Sequence, residues 1–331
     1  MHSDYAPEKW DELQRHLGST FLQSAGWAEF QRAMGHQVHL LAGEDWSCLL
    51  ISRKAQIGSY VLAPYGPTIG PKADSGKIFE EIKRFGRLHK LDWLRLEPVI
   101  AGKSVDEQKR LIRNAGGRVA ANEFEPSMTR IVDLTRPSDE ILASFSQTTR
   151  NIIRRNQRES TITFKTSSQP ADISILTAML EHVAKRQQAV FFGPEYFKTQ
   201  AELLMPAKLV RLEVAYDGDK PVAAAWIHNF NDTAYYTNAA SLPEARDKNV
   251  SALLLWQVML NAKKNGNHRI DLFGIAPDDA GPKHPWYGFS GFKKKFGGEV
   301  VERAGTWDFP LTAKYKLYKS ALMLSKLGKR H

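Results

Sequence analysis

The pattern of a helix leading into a strand occurs at Val250-Ser-Ala-Leu-Leu-Leu-Trp-Gln-Val-Met-Leu-Asn-Ala-Lys-Lys264, which is followed shortly by His268-Arg-Ile-Asp-Leu-Phe-Gly274. The same step occurs about half a chain earlier, where a predicted helix over residues 76–90 leads into a predicted strand over residues 93–97. This internal symmetry predicts two similar α/β domains. Each is expected to hold a mostly antiparallel, mixed sheet with helices packed on it.

The rest of the chain supplies further predicted elements of both kinds. Helices are predicted over residues 8–17, 25–34, 105–115, 139–157, 171–186 and 194–204. Strands are predicted over residues 37–41, 46–52, 118–121, 129–134 and 233–238, with a hairpin from residues 210–216 and 221–229. Arg136-Pro-Ser-Asp139 has the composition of a hinge, and Ser138 is expected to cap the helix that follows.

Length and composition indicate a soluble globular protein. The chain has 331 residues, of which 42% are hydrophobic and 25% are charged, so disordered and fibrous classes are excluded. Neither a membrane-spanning run nor a secretory signal is recognisable, and a cytoplasmic location is expected. The single cysteine, Cys48, excludes a disulfide framework and cysteine-rich zinc sites, and its apolar neighbours predict that it fills a buried strand.

Positive charge is concentrated in three segments that contain no acidic residue. Residues 146–158 and 281–298 carry +4 each and residues 311–331 carry +6, whereas the whole chain carries only +10. The remainder therefore has a net charge of −4. Such concentration favours polyanionic partners, among them phosphate chains, a tRNA backbone or an anionic membrane surface. Solvated helix faces are the alternative for any one segment.

The C-terminal segment, residues 311–327, has the pattern of an amphipathic helix. Leu311, Tyr315, Tyr318 and Leu322 fall on one stripe, with lysines on other faces. We favour a helix packed on the body of the protein, because long lysine stems can cover a core edge. A basic amphipathic surface for a membrane or for tRNA is the second interpretation.

Several well-known catalytic motifs are absent. The chain has no phosphate loop, no HExxH zinc motif and no GxGxxG dinucleotide motif. Gly288-Phe-Ser-Gly291 lacks the spacing of a serine nucleophile elbow. Arg113-Asn-Ala-Gly-Gly-Arg118 comes nearest to the acyl-CoA turn [QR]xxGx[GA] but ends in arginine, so coenzyme A is not supported. The histidines show no metal-ligand spacing, and we expect no metal and no cofactor.

A series of short motifs runs along nearly the full length of the chain. They are Phe21-Leu-Gln-Ser-Ala-Gly-Trp27, Pro64-Tyr-Gly-Pro67, Leu94-Arg-Leu-Glu-Pro98, Thr149-Arg-Asn-Ile-Ile-Arg-Arg155, Glu195-Tyr-Phe197, Asn238-Ala-Ala-Ser241, Leu255-Trp256, Ala262-Lys-Lys-Asn-Gly266, Asp271-Leu-Phe-Gly-Ile275 and Phe292-Lys-Lys-Lys-Phe296. Through their order and spacing the chain resembles the Fem-type (FemABX) aminoacyltransferases, which build peptide cross-bridges of peptidoglycan using aminoacyl-tRNA.

The resemblance implies a fold and a different substrate for each of the two domains. It implies α/β architecture with mixed sheets in tandem acetyltransferase-like (GNAT-like) domains, in the compact form without an inserted helical hairpin. Residues 1–137 plus 309–331 are then expected to form the first domain, on the side of the cell-wall precursor. Residues 138–308 are expected to form the second domain, on the side of the aminoacyl-tRNA.

The resemblance also implies which residues carry the chemistry. Lys293 is expected to be the cation for the tRNA terminus and the developing oxyanion, and Phe292 is expected to shape its slot. Lys294 and Lys295 are expected either to hold tRNA phosphates or to be solvated. Glu97 matches an acidic position that could orient or deprotonate the attacking ammonium, although an ion pair with Arg95 or another base is equally compatible with the sequence.

A second group of residues is implied in substrate binding. Arg211 matches a position that binds the precursor diphosphate, for which a guanidinium fork is suited; a surface arginine is the alternative. The family can carry a lysine four residues after Trp27, whereas this chain has Gln31 with Arg32 beside it. A family acid is displaced at Thr306-Trp307-Asp308, where Asp308 could substitute. The remaining candidates for the precursor, lipid headgroups or tRNA are Trp27, Tyr65, Arg150, Arg154 and Arg155.

The sequence therefore favours an aminoacyltransferase that moves an amino acid from aminoacyl-tRNA, its cosubstrate, to the stem-peptide amine of a UDP-linked or lipid-linked muropeptide. It would act in cell wall biogenesis and cell shape, in the cytoplasm with peripheral contact at the inner face of the membrane. One alternative is aminoacyl-tRNA- or acyl-CoA-dependent acylation of another amine. Another is a non-catalytic basic protein that binds RNA or a membrane.

Overall fold

The computed structural model describes residues 5–159, 161–187, 192–245, 247–282, 284 and 286–328. The chain divides into two compact units, the first formed by Met1–Ser127 with Glu302–His331 and the second by Met128–Val301. Among the basic residues counted from sequence, Lys283, Lys329 and Arg330 lie outside the described residues.

Helices and strands alternate along the chain. The helices are α1 (Pro7–His16), α2 (Ala25–Ala33), α3 (Ser75–Leu88), α4 (Val105–Asn114), α5 (Ser138–Ala143), α6 (Gln147–Glu159), α7 (Ile173–Gln187), α8 (Pro194–Leu204), α9 (Val250–Lys264), α10 (Tyr287–Lys294) and α11 (Lys314–Gly328). The strands are β1 (Val38–Gly43), β2 (Trp46–Lys54), β3 (Ser59–Ala63), β4 (Thr68–Ile69), β5 (Trp93–Leu96), β6 (Val99–Ile100), β7 (Arg118–Val119), β8 (Met128–Asp133), β9 (Ile162–Ser167), β10 (Val210–Asp217), β11 (Lys220–Phe230), β12 (Thr233–Ser241), β13 (Arg269–Gly274), β14 (Glu299–Glu302) and β15 (Trp307–Pro310).

The first unit is built on an eight-stranded mixed sheet. Its order is β6-β4-β2-β3-β5-β15-β7, and β1 pairs with β2. β3 and β5 are parallel, with Tyr60 opposite Trp93, and they are connected through helix α3. β15 then pairs with β5 in the antiparallel sense. Cys48 is fully buried in β2 among the apolar core residues, as its sequence context predicts.

The second unit is built on a seven-stranded mixed sheet in the order β14-β8-β13-β12-β11-β10-β9. β12 and β13 are parallel and connected through α9, while β8 pairs with β13 in the antiparallel sense. The predicted hairpin is present as β10 and β11. Both units therefore contain a strand, a crossover helix and a parallel strand with an antiparallel neighbour beyond it. The predicted mixed α/β fold with a repeated plan is confirmed.

The domain boundaries fall several residues before the predicted ones. Strand pairing explains the difference, because β8 hydrogen-bonds to β13 and so places residues from Met128 onward in the second unit. The chain returns to the first unit at Glu302, ahead of β15, which pairs with β5. The predicted boundaries at 137/138 and 308/309 are therefore corrected to 127/128 and 301/302.

The helix predicted over residues 139–157 is in fact two helices, α5 and α6. The break lets Phe145 turn into the core, where its ring lies 5.1 Å from Phe296 and 5.5 Å from Trp256. Ser146 donates its backbone N–H to the Lys295 carbonyl at 2.8 Å. The expected cap is also corrected: Ser138 is the first residue of α5, and the residue before it is Pro137.

The C-terminal helix α11 packs on the first unit, as the favoured interpretation of its stripe predicts. Tyr315 is buried, and the ring of Tyr318 stacks on Trp93 with centroids 4.6 Å apart. In the described part of the chain, no helix combines the length and the apolarity needed to cross a membrane.

Candidate active site

The ammonium group of Lys293 lies at the carboxyl end of strand β13. Lys293 belongs to α10, and its Nζ donates to the Gly274 carbonyl at 2.7 Å and to the Phe273 carbonyl at 3.3 Å. Two carbonyls of one strand end thus fix the position of this cation. The site lies where β12 and β13 separate, since their parallel pairing ends at Tyr235 and Asp271.

Local backbone geometry at the end of β13 turns these carbonyls toward the lysine. The register with β8 shifts between Asp271 and Gly274, and Phe273 has a φ of +60°, which a bulky residue rarely adopts. The Asp271 carboxylate stabilises the turn, because its Oδ1 accepts the Phe273 N–H at 2.7 Å and a short hydrogen bond from the Thr129 hydroxyl. The motif Asp271-Leu-Phe-Gly-Ile275 therefore acts through its backbone shape.

Burial lowers the pKa of Lys293 to about 8, and the nearby Asp271 carboxylate opposes that shift. At pH 7 the ammonium form still predominates, because that pH lies below the shifted pKa. A cation with few water neighbours interacts more strongly with developing negative charge than a solvated one does. The position suits the stabilisation of an oxyanion.

Helix α10 is anchored to the segment that follows β13. Ser290 is buried, and its Oγ accepts the Ala276 N–H at 2.6 Å and donates to the Trp286 carbonyl at 2.7 Å. Ser290 thus has a structural role, in agreement with the rejection of a nucleophile elbow. Phe292 is half-buried with its ring 5.1 Å from Phe296, so it packs the base of the same helix onto the core.

The two lysines after Lys293 are both exposed. Lys294 belongs to the basic segment 281–298, which contains no acidic residue, but it forms an ion pair with Asp278 outside that segment at 2.5 Å. Lys295 is exposed and precedes the buried Phe296. Of the three consecutive lysines, Lys293 is the one whose side chain is half-buried. The other two remain candidates for phosphate contacts.

In the first unit, Glu97 lies directly after strand β5 and is 3% exposed. Its Oε1 accepts the Glu125 N–H at 2.8 Å and the Thr306 hydroxyl at 2.6 Å, and its Oε2 accepts the Tyr65 N–H at 3.2 Å. Arg95 does not pair with Glu97. It forms a bidentate ion pair with Asp308, at 2.7 and 2.9 Å, so the ion-pair alternative drawn from sequence is wrong for Arg95.

The Glu97 carboxyl group is prone to protonation. Burial raises the pKa of Glu97 to about 7, although the hydrogen bonds from Thr306, Glu125 and Tyr65 act in the opposite direction. Burial and the nearby Glu97 carboxylate also raise the pKa of Glu125 well above its ordinary value. A carboxyl group whose pKa lies near neutrality can exchange a proton with an amine substrate.

Motifs that are distant in sequence meet around Glu97. The Gln23 side chain donates to the Pro64 carbonyl at 2.7 Å and accepts the Leu49 N–H at 2.7 Å. Tyr65, which follows Pro64, has a φ of +47° and donates its hydroxyl to the Pro126 carbonyl at 2.7 Å. Tyr65 is 3% exposed, and the Arg303 guanidinium lies 4.4 Å from its ring centre. Tyr65, predicted from sequence as a substrate-binding residue, therefore helps to position the Glu97 carboxyl group.

Trp27, Gln31 and Arg32, which surround the position where the family can carry a lysine, differ in their exposure to solvent. Trp27 is buried, with its ring 5.5 Å from Phe21. Gln31 is also buried, and its Oε1 accepts a hydrogen bond from Arg53 at 3.1 Å. Arg32 is exposed and forms a short ion pair with Glu29. Of Gln31 and Arg32, only Arg32 presents its side chain to solvent.

Arg211 lies inside strand β10 and is 7% exposed, so the surface alternative is wrong. Its Nε donates to Glu213 at 2.8 Å and its Nη1 donates to Asn229 at 2.5 Å. Glu213 in turn accepts from Thr166 and Asn261, each at 2.8 Å. Arg211 is thus part of an internal polar network, and a diphosphate would have to compete with Glu213 for its guanidinium.

The arginines of α6 fall into two classes. Arg150 is half-buried and donates to the Ala143 carbonyl at 3.2 Å and to the Phe145 carbonyl, so it stabilises the junction between α5 and α6. Arg154 and Arg155 are exposed. The latter two are free to meet a phosphate, whereas Arg150 is engaged with the backbone.

Four site residues were not found from sequence: Thr306 and Glu125 around Glu97, and Asp271 and Thr129 around Lys293. Asp271 and Thr306 lie inside motifs that sequence analysis quoted, but nothing in those motifs indicates their hydrogen-bond partners. Among the described residues, no group of three histidine, cysteine, aspartate or glutamate side chains could hold a metal ion.

The chain is similar to known proteins in part of its sequence and in its fold. The sequence model of the FemAB family matches residues 207–322, which include β13 and α10. A comparison with curated proteins finds no significant sequence match.

Three solved structures share the fold at low sequence identity. The crystal structure of FemX matches with a TM-score of 0.82 at 16% identity, over 96% of this chain and 98% of that chain. The structure of L-PGS from Bacillus licheniformis matches with a TM-score of 0.57 at 16% identity, over 100% and 99%. A tandem GNAT protein from the clavulanic acid biosynthesis pathway matches with a TM-score of 0.52 at 11% identity, over 91% and 94%.

The predicted tandem acetyltransferase-like fold is confirmed by these likenesses. The sequence match covers the segment with the Lys293 site. The chain thus matches the FemAB family model over residues 207–322 and shares the fold of FemX over nearly its whole length.

Proposed function

We propose that this protein transfers an amino acid from aminoacyl-tRNA to the stem-peptide amine of a peptidoglycan precursor. The observation that carries the proposal is the half-buried Lys293, whose ammonium is held by the carbonyls of Phe273 and Gly274 at the carboxyl end of β13. The FemAB match over this segment and the fold shared with FemX support it.

The chemistry of the reaction requires a cation more than a nucleophile. The amine nitrogen bonds to the ester carbonyl carbon of the aminoacyl-tRNA, and the carbonyl oxygen becomes an oxyanion. The ester C–O bond then breaks, the ribose hydroxyl takes up a proton and the amine loses one. We assign to Lys293 the stabilisation of the oxyanion, which typically contributes about 10²–10³-fold in rate.

For Glu97 we propose a role toward the acceptor ammonium. Its carboxyl group is oriented by three hydrogen bonds and has a pKa near 7. In its ionised form it can bind the acceptor ammonium, and it can accept the proton that the amine must lose before attack. The exposed Lys294, Lys295, Arg154 and Arg155 are proposed to contact tRNA phosphates.

The test is transfer of radiolabelled amino acids, from a mixture of charged tRNAs, to purified UDP-linked and lipid-linked muropeptides. We expect Lys293→Ala to lower kcat by at least about 100-fold while the protein stays folded. Lys264→Ala is the matched control, because it removes an exposed lysine of the same unit that has no assigned role, and its kcat should remain within about threefold of the parent.

Two results would overturn the proposal. One is a Lys293→Ala variant as active as the parent. The other is a folded parent protein that transfers no label to either muropeptide while the aminoacyl-tRNA stays intact. Transfer to an unrelated amine under the same conditions would assign the chain to the alternative acceptor class.

A further inference from the structure

Helix α11 has two apolar stripes on opposite sides. The inner stripe holds Tyr315 and Tyr318, which pack on the first unit. The outer stripe holds Leu317 and Leu324, which are seven residues apart and so lie above one another, two turns apart along the helix. Leu317 is 61% exposed and Leu324 is 69% exposed.

Packing on the body explains the inner stripe only. A helix with one neighbour is expected to be polar on its solvent side, and Leu317 and Leu324 depart from that rule. The charged residues along the described part of α11 are all lysines, and the exposed Lys314 and Lys316 lie on either side of the outer stripe. The outer stripe is thus an apolar line flanked by positive charge.

A basic cavity adjoins the start of this helix. It has a volume of about 530 Å³ and is lined by Arg87 and Lys90 from the end of α3, by Lys314 at the start of α11 and by Asp92. Asp92 is occupied internally, since it accepts hydrogen bonds from Thr312 at 2.7 Å and from the Ser59 N–H at 2.8 Å. Asp92 also forms an ion pair with Lys314 at 3.7 Å. Arg87 and Lys90 form no ion pair with any described carboxylate, so these two residues give the cavity a net positive charge.

Another exposed leucine lies at the same end of α3. Leu88 is 70% exposed and stands in sequence between the cavity residues Arg87 and Lys90. The first unit therefore combines exposed leucines on α3 and α11 with Arg87, Lys90 and Lys314, which line this cavity. We call this combination the α3/α11 face, defined by Arg87, Leu88, Lys90, Lys314, Leu317 and Leu324.

We propose that the α3/α11 face docks the first unit on the surface of an anionic phospholipid bilayer. The leucines would enter the boundary between headgroups and acyl chains, and the cavity cations would hold lipid phosphates. Exposed aliphatic side chains flanked by lysines are typical of helices that lie in the plane of the membrane interface. Binding to RNA would use the cations alone, because phosphates and base edges give large aliphatic side chains no partner.

The proposal is tested without tRNA or muropeptide, so its outcome is separate from that of the proposed transfer reaction. The parent protein is mixed with vesicles of phosphatidylcholine alone or with 30% phosphatidylglycerol, and binding is measured by flotation. We expect binding to the anionic vesicles that weakens with added salt, and at most weak binding to phosphatidylcholine.

Variants separate the two components of the face. Leu317→Glu/Leu324→Glu should lower binding to anionic vesicles by at least about tenfold, because it removes apolar contact and adds repulsion. Arg87→Ala/Lys90→Ala should lower it by about tenfold or more, since each cation near such a surface is worth about fivefold. Circular dichroism verifies that both variants are folded.

The controls carry the same chemical changes on the second unit. Leu203→Glu changes a leucine that is 40% exposed in α8. Lys198→Ala/Lys264→Ala removes two exposed lysines. Both controls should bind vesicles within about twofold of the parent.

Three results would overturn the proposal. One is a parent that does not bind anionic vesicles at low salt. Another is binding that the leucine substitutions leave unchanged, which would leave only unspecific attraction between charges. The third is a face whose substitutions weaken binding to RNA but not to vesicles, which would identify it as an RNA surface.

Discussion

At the scale of the single residue, burial shifts the pKa of both candidate groups, Lys293 and Glu97, toward neutrality. Burial lowers the pKa of Lys293 to about 8 and raises that of Glu97 to about 7. Shifted pKa values of this kind cluster at functional sites. With these pKa values, the charge of each group changes near neutral pH.

The ammonium of Lys293 should set the alkaline limit of the reaction. The group loses its proton as the pH rises through about 8, so its contribution to the parent rate should fall about tenfold per pH unit above that value. Lys293→Arg keeps its charge, because a guanidinium does not deprotonate in this range. The ratio of variant to parent kcat/KM, measured from pH 6.5 to 10, should therefore rise above pH 8, and a constant ratio would exclude this role.

Glu97 should make the fold less stable as the pH rises. Its pKa in the folded state lies above its unfolded value of 4.5, so its stabilising contribution is complete below pH 4.5 and is lost as the pH rises through about 7. Glu97→Gln cannot ionise, and the Tm of this variant should gain on the parent by at least about 2 °C between pH 5 and pH 8. Thermal unfolding at the two pH values measures this. If both proteins change in parallel, the carboxyl group is not held near neutrality.

The partners of these residues show what sequence could and could not indicate. Glu97 and Lys293 lie in recognisable motifs, so both could be singled out. Thr306 is 209 residues from Glu97, and Glu125 is 28 residues away, with no local pattern joining either to it. Arg211 could be singled out from sequence because a guanidinium suits a diphosphate. In the structure, however, this guanidinium already donates a hydrogen bond to Glu213.

At the scale of the element, the strand ends and the returning C-terminal segment position the sites. The helix-to-strand steps could be predicted because each is a long local pattern with its own period. Strand β3 was missed, since it spans five residues between Gly58 and a loop rich in glycine and proline. Strand β15 was missed because it has four residues and ends in proline, and only its pairing with β5 makes it a strand.

One buried ion pair should decide the stability of this returning segment. Arg95 in β5 holds Asp308 in β15 bidentately, and Tyr315 of α11 donates its hydroxyl to the same carboxylate at 3.1 Å. Asp308→Ala leaves a buried guanidinium without a counter-charge and should lower the free energy of unfolding by about 3–5 kcal/mol. Urea denaturation measures this loss.

The paired substitution is the control for that prediction. Arg95→Met/Asp308→Leu removes both charges and should recover most of the lost free energy of unfolding. If the double variant is as unstable as Asp308→Ala, the effect comes from packing and the ion pair is not its cause.

At the scale of the whole molecule, two features could be predicted from the sequence: the concentration of positive charge in a few segments and the division of the chain into two units. Positive charge is concentrated in three segments, and a repeated helix-to-strand step predicts two similar α/β domains. The boundaries could not be predicted to the residue, because strand pairing sets them. The fold is shared with FemX at 16% sequence identity.

The concentrated charge should give tRNA binding a steep salt dependence. Arg154 and Arg155 are exposed on α6, and each phosphate contact that they make adds about 0.7–0.9 to the slope of log K against log salt. Arg154→Ala/Arg155→Ala should lower that slope by about 1–2, while Lys198→Ala/Lys264→Ala should leave it unchanged. Equal slopes for the parent and the arginine variant, measured by filter binding, would remove α6 from the tRNA surface.

The most direct test of aminoacyl transfer is to follow donor and acceptor in one reaction. Aminoacyl-tRNA with a radiolabelled amino acid is mixed with the parent protein and a purified muropeptide, and discharged tRNA and labelled muropeptide are counted at each time point. We predict one labelled muropeptide for each tRNA discharged, with both rates lost in Lys293→Ala. Discharge of tRNA without labelled muropeptide, or equal rates with Lys293→Ala, would contradict it.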